Sequence, residues 1–233
     1  MRTLKKVKDL QLGILPSLIT VTGLMLGVHA LRFLFLQEVM KAVICIVLAA
    51  LLDGLDGKVA RFLNVSSKFG GTLDSMADFL NFGIVPPFII YVKYFNSTME
   101  VCWISVVAYV ASLALRLARF AVVGMADDRF FTGVPAPGAA FLAIFPLCCE
   151  YAFGQYLNKD VLKWMAMLSL ISCSFLMLSK FKTVSLSRIT VSKQNFPTLV
   201  VILCVCASLT YLYTWYFIIF LQIFYIYSII KKK

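Results

Sequence analysis

The sequence predicts an all-α, polytopic membrane bundle of about eight transmembrane helices, and three observations carry that prediction. Of the 233 residues, 61% are hydrophobic and only 14% are charged. Soluble domains run nearer 45–50% apolar and about 25% charged. The mean hydropathy is +0.91. Apolar runs long enough to span a bilayer, about 20 residues each, recur from one end of the chain to the other. A water-soluble globule and a disordered chain are both excluded. Eight spans consume roughly 160 residues, which leaves no room for a large extramembrane domain.

The spans fall at roughly 14–35, 39–61, 68–94, 101–123, 135–154, 160–179, 196–213 and 214–230. The first follows a basic stretch, but further spans succeed it directly, so it reads as a retained helix and not a cleaved signal. The second and third are joined by Asn64, Ser66 and Ser67, which supply turn and N-cap chemistry. The fourth carries Arg116 and Arg119 near its end. Asp127 and Asp128 then read as solvated loop charges. Pro135 and Pro137 shape the start of the fifth span. Between the last two spans, Tyr211, Tyr213, Trp215 and Tyr216 sit where interfacial aromatics collect. The Phe and Tyr content of spans seven and eight reads as lipid-facing surface. The whole of 1–233 is expected to form one integral membrane domain. Residues 12–179 would be a catalytic core of about six helices, and 196–230 would add two C-terminal helices.

The net charge is +11, from 22 Lys and Arg against 11 Asp and Glu. On a soluble protein this would suggest nucleic acid; here it reads as topology, because basic residues collect on the cytoplasmic side. With the N-terminus inside, the inner segments hold 17 of the 22 basic residues, from Arg2 through Lys58, Arg61, Lys68, Arg116, Arg119, Arg129 and Lys180 to Lys231, Lys232 and Lys233. The outer side keeps Arg32, Lys41, Lys93, Lys159 and Lys163. Both termini are therefore expected in the cytoplasm, with no nucleic-acid partner. The terminal lysines also suit contact with anionic lipid. The seven cysteines form no C-x-x-C pair and read as small buried hydrophobes. With His29 as the one histidine, a His-rich zinc or haem site is not available.

Charged groups inside spans are costly and usually mark function. Four of the acidic residues, Asp53, Asp56, Asp74 and Asp78, fall within 26 positions. Asp53 and Asp56 are i, i+3 on the second helix, with Gly57 and Ala60 continuing their face. Asp74 and Asp78 are i, i+4 on the third, with Gly70 one turn earlier. The two helices form an antiparallel pair joined at the cytoplasmic surface, so their acidic faces can point at each other. Four carboxylates so close need protons, basic partners or a metal. Pairing with Lys58, Arg61 and Lys68 alone is poor: four buried acids face three exposed bases. All-oxygen ligands suit hard cations such as Mg²⁺, Mn²⁺ or Ca²⁺, whose shells are completed by water and substrate phosphates. Small residues at 57, 60, 70 and 71 leave room for a bulky ligand. The start of the third helix near Lys68 favours an anion. Together these features describe a metal-bridged diphosphate site at the membrane surface.

The pattern Asp53-x-x-Asp56-Gly57-x-x-Ala60-Arg61-(x)8-Gly70-x-x-x-Asp74-x-x-x-Asp78 resembles the motif of the CDP-alcohol phosphotransferases, with every fixed position filled. Pro16-Ser17-Leu18-Ile19-Thr20 resembles the opening of that family's first helix, with Ser17 standing where Asn is common. Ser66 to Gly70, Leu73 to Asp78, Phe82-Gly83, Leu115 to Phe120 and Phe131 to Ala140 resemble the serine branch, the bacterial type II phosphatidylserine synthases. The likeness covers about residues 12–145.

The resemblance implies the family's fold and a reaction: transfer of a phosphatidyl group from CDP-diacylglycerol to L-serine in the inner membrane, releasing CMP. By similarity, Asp53, Asp56 and Asp74 would ligate Mg²⁺ or Mn²⁺, as one ion or two. Asp78 would serve as ligand or base. Gly57, Ala60, Arg61, Gly70 and Thr20 would line the CDP site. Arg116 or Arg119 would clamp the serine carboxylate or a lipid phosphate, or else simply anchor the cytoplasmic end. Asn81, i+3 from Asp78, would orient the acceptor or make a helix–helix hydrogen bond; Ser75 is in the same position. A homodimer is expected from the resemblance. Two other readings stand beside it. A sister enzyme would use glycerol 3-phosphate or inositol phosphate, whose dianionic phosphate calls for a denser basic cluster than Arg116, Arg119 and Arg129 provide. A transporter would use the acids as an ion path, but such a path needs polar groups nearer the midplane.

Overall fold

The computed structural model describes residues 2–62, 68–95, 100–123, 130–179, 182–184 and 214–231. Its helices are α1 (Arg2–Phe35), α2 (Val39–Phe62), α3 (Lys68–Asp78), α4 (Val85–Ile90), α5 (Glu100–Val123), α6 (Ala136–Ala143), α7 (Phe145–Phe153), α8 (Lys159–Leu178) and α9 (Thr214–Ile230). Two three-residue strands, β1 (Phe130–Thr132) and β2 (Lys182–Val184), pair antiparallel with Phe131 opposite Thr183. The sequence reading treats both segments as plain connections. Their aromatic and β-branched residues suit a short ribbon, which ties the α5–α6 connection to the segment after α8.

Every expected span except 196–213, which lies outside the described residues, is helical. Pro16–Phe35, Phe69–Phe95, Cys102–Val122, Ala136–Phe153 and Lys159–Leu178 are long and apolar enough to cross a membrane. The chain is an integral membrane protein. Helix α2 is long enough at 24 residues, but it carries Lys41, Asp53, Asp56 and Lys58. Those charges, not a shortage of apolar residues, set it apart from the other spans. Outward-facing Met25, Val47, Leu51, Trp164, Leu168 and Phe224 are exposed. In water such a surface would promote association; in a bilayer it is the normal solvent contact.

Two spans depart from regular α-helix, and proline explains both. Between α3 and α4 the chain widens into a π-helical turn over Phe79–Ile84. Pro86 and Pro87 follow and lack the N–H groups that would bond the carbonyls four residues back. The freed Phe82 carbonyl instead accepts the hydroxyl of fully buried Tyr109, at 3.1 Å. Likewise, the single span expected over 135–154 breaks at Ile144 into α6 and α7, with Pro146 at the start of α7. The Leu142 carbonyl, which residue 146 cannot bond, accepts Ser169 Oγ at 3.0 Å. In hydrocarbon no water can rescue a freed carbonyl, so a neighbouring helix does so in each case.

Small residues set the closest approaches. Ala30, Ala42 and Ala49 are fully buried along the α1–α2 seam, as expected where helices pack without a hydrophobic driving force. Gly27 of α1 faces Asn81, and a Cβ there would collide with the amide oxygen. The main core gathers Phe82, Tyr109, Leu113, Val134, Leu170 and Met177. Cys45, Cys102, Cys148, Cys149 and Cys173 are free and buried; Cys204 and Cys206 lie outside the described residues.

Candidate active site

Helices α2 and α3 both pack on α1, and helical spacing places two aspartates from each at the same end of the bundle. One carboxylate oxygen from each of Asp53, Asp56 and Asp74 lies within 4.8 Å of the others. Asp78, one turn further along the span, is in side-chain contact with Asp53. Its Oδ1 is buried with no hydrogen-bond partner. Asp56 is only 5% exposed. Thr20 Oγ1 of α1 lies 2.7 Å from Asp56 Oδ2 and 3.0 Å from the Pro16 carbonyl. Its single proton favours the carboxylate, the stronger acceptor. A third helix therefore orients one member of the cluster.

The floor beside the carboxylates is open. A Cβ built at Gly54, Gly57 or Gly71 would meet nothing within 4 Å, which leaves space over both helices for a ligand. Gly70 is half-buried on α3. The side chains of Ala60 and Arg61, and all of Asn64, Ser66, Ser67, Arg129, Asp127 and Asp128, lie outside the described residues.

The two arginines of α5, equivalent by sequence spacing, separate in space. Arg116 reaches the site, within electrostatic range of Asp78, and its Nε is buried without a partner. Arg119 is exposed. Asn81 is 2% exposed and donates from Nδ2 to the Gly23 carbonyl at 3.2 Å, the helix–helix bond that its place in a span suggests. Ser75 donates to the Gly71 carbonyl within its own helix. His29 is exposed.

One neighbour of the site escapes the sequence reading. Tyr225 of α9 is half-buried and packs on the core, although the aromatics of the last span read as lipid-facing. Phe220, Phe224 and Tyr227 do face outward. The signal for Tyr225 was Gln222, a lone amide in an apolar helix. Gln222, Tyr225 and Ile229 lie three and four apart, which is one helical stripe.

A cluster of hard oxygen donors, one of them orphaned, suits a divalent cation, so the described site could hold a metal ion. The fold and site together define a polytopic membrane protein in which α2 and α3 offer a candidate cation site beside open space over their glycines. The chain belongs to the CDP-alcohol phosphatidyltransferase family, whose sequence model matches residues 13–173. It is 33% identical to the CDP-diacylglycerol–serine O-phosphatidyltransferase of Mycobacterium bovis, over 91% of this chain and 77% of that protein. The enzyme of the same name from Mycobacterium leprae is 32% identical over 86% of this chain and 68% of its own length. The one from Helicobacter pylori is 34% identical over 57% and 56%.

Proposed function

We propose that this chain transfers the phosphatidyl group of CDP-diacylglycerol to L-serine, giving phosphatidylserine and CMP. The observation that carries the reading is the convergence of Asp53, Asp56 and Asp74 at the motif positions, with Asp78 beside them. The choice of serine is supported by the names of the relatives and by Arg116, the arginine that reaches Asp78 among the described residues.

Asp53, Asp56 and Asp74 would hold Mg²⁺ or Mn²⁺, as one ion or two, with Asp78 as a further ligand or as base. When bound, the metal would supply charge neutralisation on the diphosphate and so favour departure of CMP. Thr20 holds Asp56 in place through its hydroxyl. Thr20 would also line the CDP site with Gly57, Ala60, Arg61 and Gly70, where small residues admit the nucleotide. Asp78 accepts the proton of the serine hydroxyl, which is a weak nucleophile until a base removes it. The serine oxygen bonds to the lipid-linked phosphorus, and the bridging P–O bond to CMP breaks. Arg116 takes the serine carboxylate in a charge-assisted pair, and exposed Arg119 has a lesser part.

The distribution of Lys and Arg supports an inner-membrane location with both termini and the site at the cytoplasmic face. The lipid donor then stays in the bilayer while serine arrives from water. The family match over residues 13–173 supports 12–179 as the catalytic core, with 196–230 as an addition. The homodimer rests on the resemblance and is tested by cross-linking in membranes.

The decisive experiment follows CMP release by purified protein from CDP-diacylglycerol with Mg²⁺ or Mn²⁺. Serine, glycerol 3-phosphate, inositol phosphate and no acceptor are compared. Serine-dependent release that disappears in Asp78→Asn is the expected result. Release with another acceptor keeps the family and overturns the choice of serine.

A further inference from the structure

The C-terminal helix α9 lies beyond the region matched by the family, yet one stripe of it is built into the protein interior. Gln222 is 0% exposed and its Nε2 donates to the Phe141 carbonyl at 2.6 Å. Ile229 is buried in the main core, the cluster that also holds Tyr109 and Leu113 of α5. Between them, Tyr225 points at the start of α6. There Gly138 leaves the space that Tyr225 occupies: a Cβ on Gly138 would lie 2.5 Å from the tyrosine hydroxyl and 3.1 Å from Cζ. The ring therefore sits in a slot that the glycine leaves, and a Cβ on residue 138 would push the hydroxyl end of the ring aside.

That slot adjoins Arg116. The guanidinium is within electrostatic range of Asp78, Tyr225 and Tyr109. The Tyr109 hydroxyl is committed to the Phe82 carbonyl, whereas no protein partner satisfies Arg116 Nε. A long, flexible arginine with an unbonded buried nitrogen needs a wall to fix its direction, and a tyrosine ring with a hydroxyl acceptor provides one.

We infer that Tyr225 is a positioning residue for the acceptor: seated in the Gly138 slot and locked by Gln222, it holds Arg116 toward the acceptor's carboxylate. This rests on the reading of Arg116 as the carboxylate clamp. It gives α9 a part in acceptor selection, although it lies outside residues 13–173 matched by the family.

The test compares wild type, Tyr225→Phe and Gly138→Ala in the full chain, with CMP release measured against serine and CDP-diacylglycerol in turn. Tyr225→Phe keeps the ring and the packing. Its KM for serine should rise about five- to tenfold as Arg116 loses the neighbouring hydroxyl dipole, while the KM for CDP-diacylglycerol and the melting temperature hold. Gly138→Ala, which displaces the hydroxyl, should shift the same constant in the same direction. An unchanged serine KM in Tyr225→Phe overturns the inference. So does an equal rise in both KM values with a lowered melting temperature, which would mark a purely structural tyrosine. Wild type without serine-dependent release would overturn the proposed function and this inference together. Wild type active on serine with an indifferent Tyr225→Phe would overturn the inference alone.

Discussion

At the end of the bundle where α7 finishes, Glu150 has every partner it needs. Tyr94 donates its hydroxyl at 2.6 Å and Lys93 approaches at 3.1 Å. Lys93 also lies over the Tyr151 ring, which stacks on Trp215 at 4.6 Å. At the opposite end, Asp53, Asp56, Asp74 and Asp78 crowd together, with Thr20 and Arg116 near them among the described residues. A buried carboxylate oxygen and a buried guanidine nitrogen there lack partners. Both regions place carboxylates inside a membrane protein, but one is paired within its own chain and the other is a cluster that could bind a metal ion. Unsatisfied polar groups are costly in low dielectric, and the orphaned atoms of Asp78 and Arg116 suit a site that could take a cation and an anion. The same contrast argues against an ion path, because the unpaired acids stay at one end.

The sharpest way to break this contrast is Asp74→Asn. It should lower CMP release by at least about 10²–10³-fold, the scale seen when one electrostatic contact to a reacting group is removed. The melting temperature without metal should hold or rise, since one of several mutually repelling charges is gone. A melting temperature that falls sharply would mean the cluster is structural after all.

Thr20→Val sharpens the comparison at the next level. It keeps the shape of the side chain and deletes the donor to Asp56. Outer-shell partners of metal ligands contribute about 10–100-fold in affinity, so the Mn²⁺ concentration for half-maximal activity should rise by that factor. A metal-activation curve that does not move would show that Asp56 needs no help from α1.

At the completed end the expectation reverses. Glu150→Gln keeps a neutral acceptor for Tyr94 and loses the charge that faces Lys93. The pair is partly exposed, so the loss should be about 1–2 kcal/mol of stability. It would be read as a lowered melting temperature with CMP release near wild type. Loss of activity without loss of stability would place Glu150 in the reaction and dissolve the distinction between the two ends.

Much of this architecture was legible in the sequence because each signal is local. Spans declare themselves by length and hydropathy, and the four aspartates by their cost inside a membrane. The separation of Arg116 from Arg119 was not legible, because three residues turn a helix by nearly a full circle and either could face the site. Nor was the seat of Tyr225, which depends on a slot made by Gly138 some 87 positions away in the chain. The ribbon between β1 and β2 needs a register between distant segments, which short-range patterning does not supply. The spans that break at Ile144 and before Pro86 read as continuous in the sequence, although Pro146, Pro86 and Pro87 carry the local signal. The hydroxyls that repair them come from other helices.

Those two repairs offer the finest test, because they are chemically alike and differ in place. Ser169→Ala leaves the Leu142 carbonyl, and Ala143 at 3.3 Å, without the Ser169 hydroxyl. Tyr109→Phe does the same to Phe82. Each should reduce stability by about 1 kcal/mol, since a freed carbonyl in hydrocarbon finds no water. Activity should divide them. Phe82 sits one turn past Asp78 in a π-helical turn that sets the register of the catalytic span, so loosening it should shift Asp78 relative to Asp53 and slow CMP release. Ser169 supports α6 and α7, and its loss should leave the rate alone. Equal falls in melting temperature with unequal falls in rate would show that the π turn is held in place for Asp78. Equal rates would reduce Tyr109 to the same packing role as Ser169.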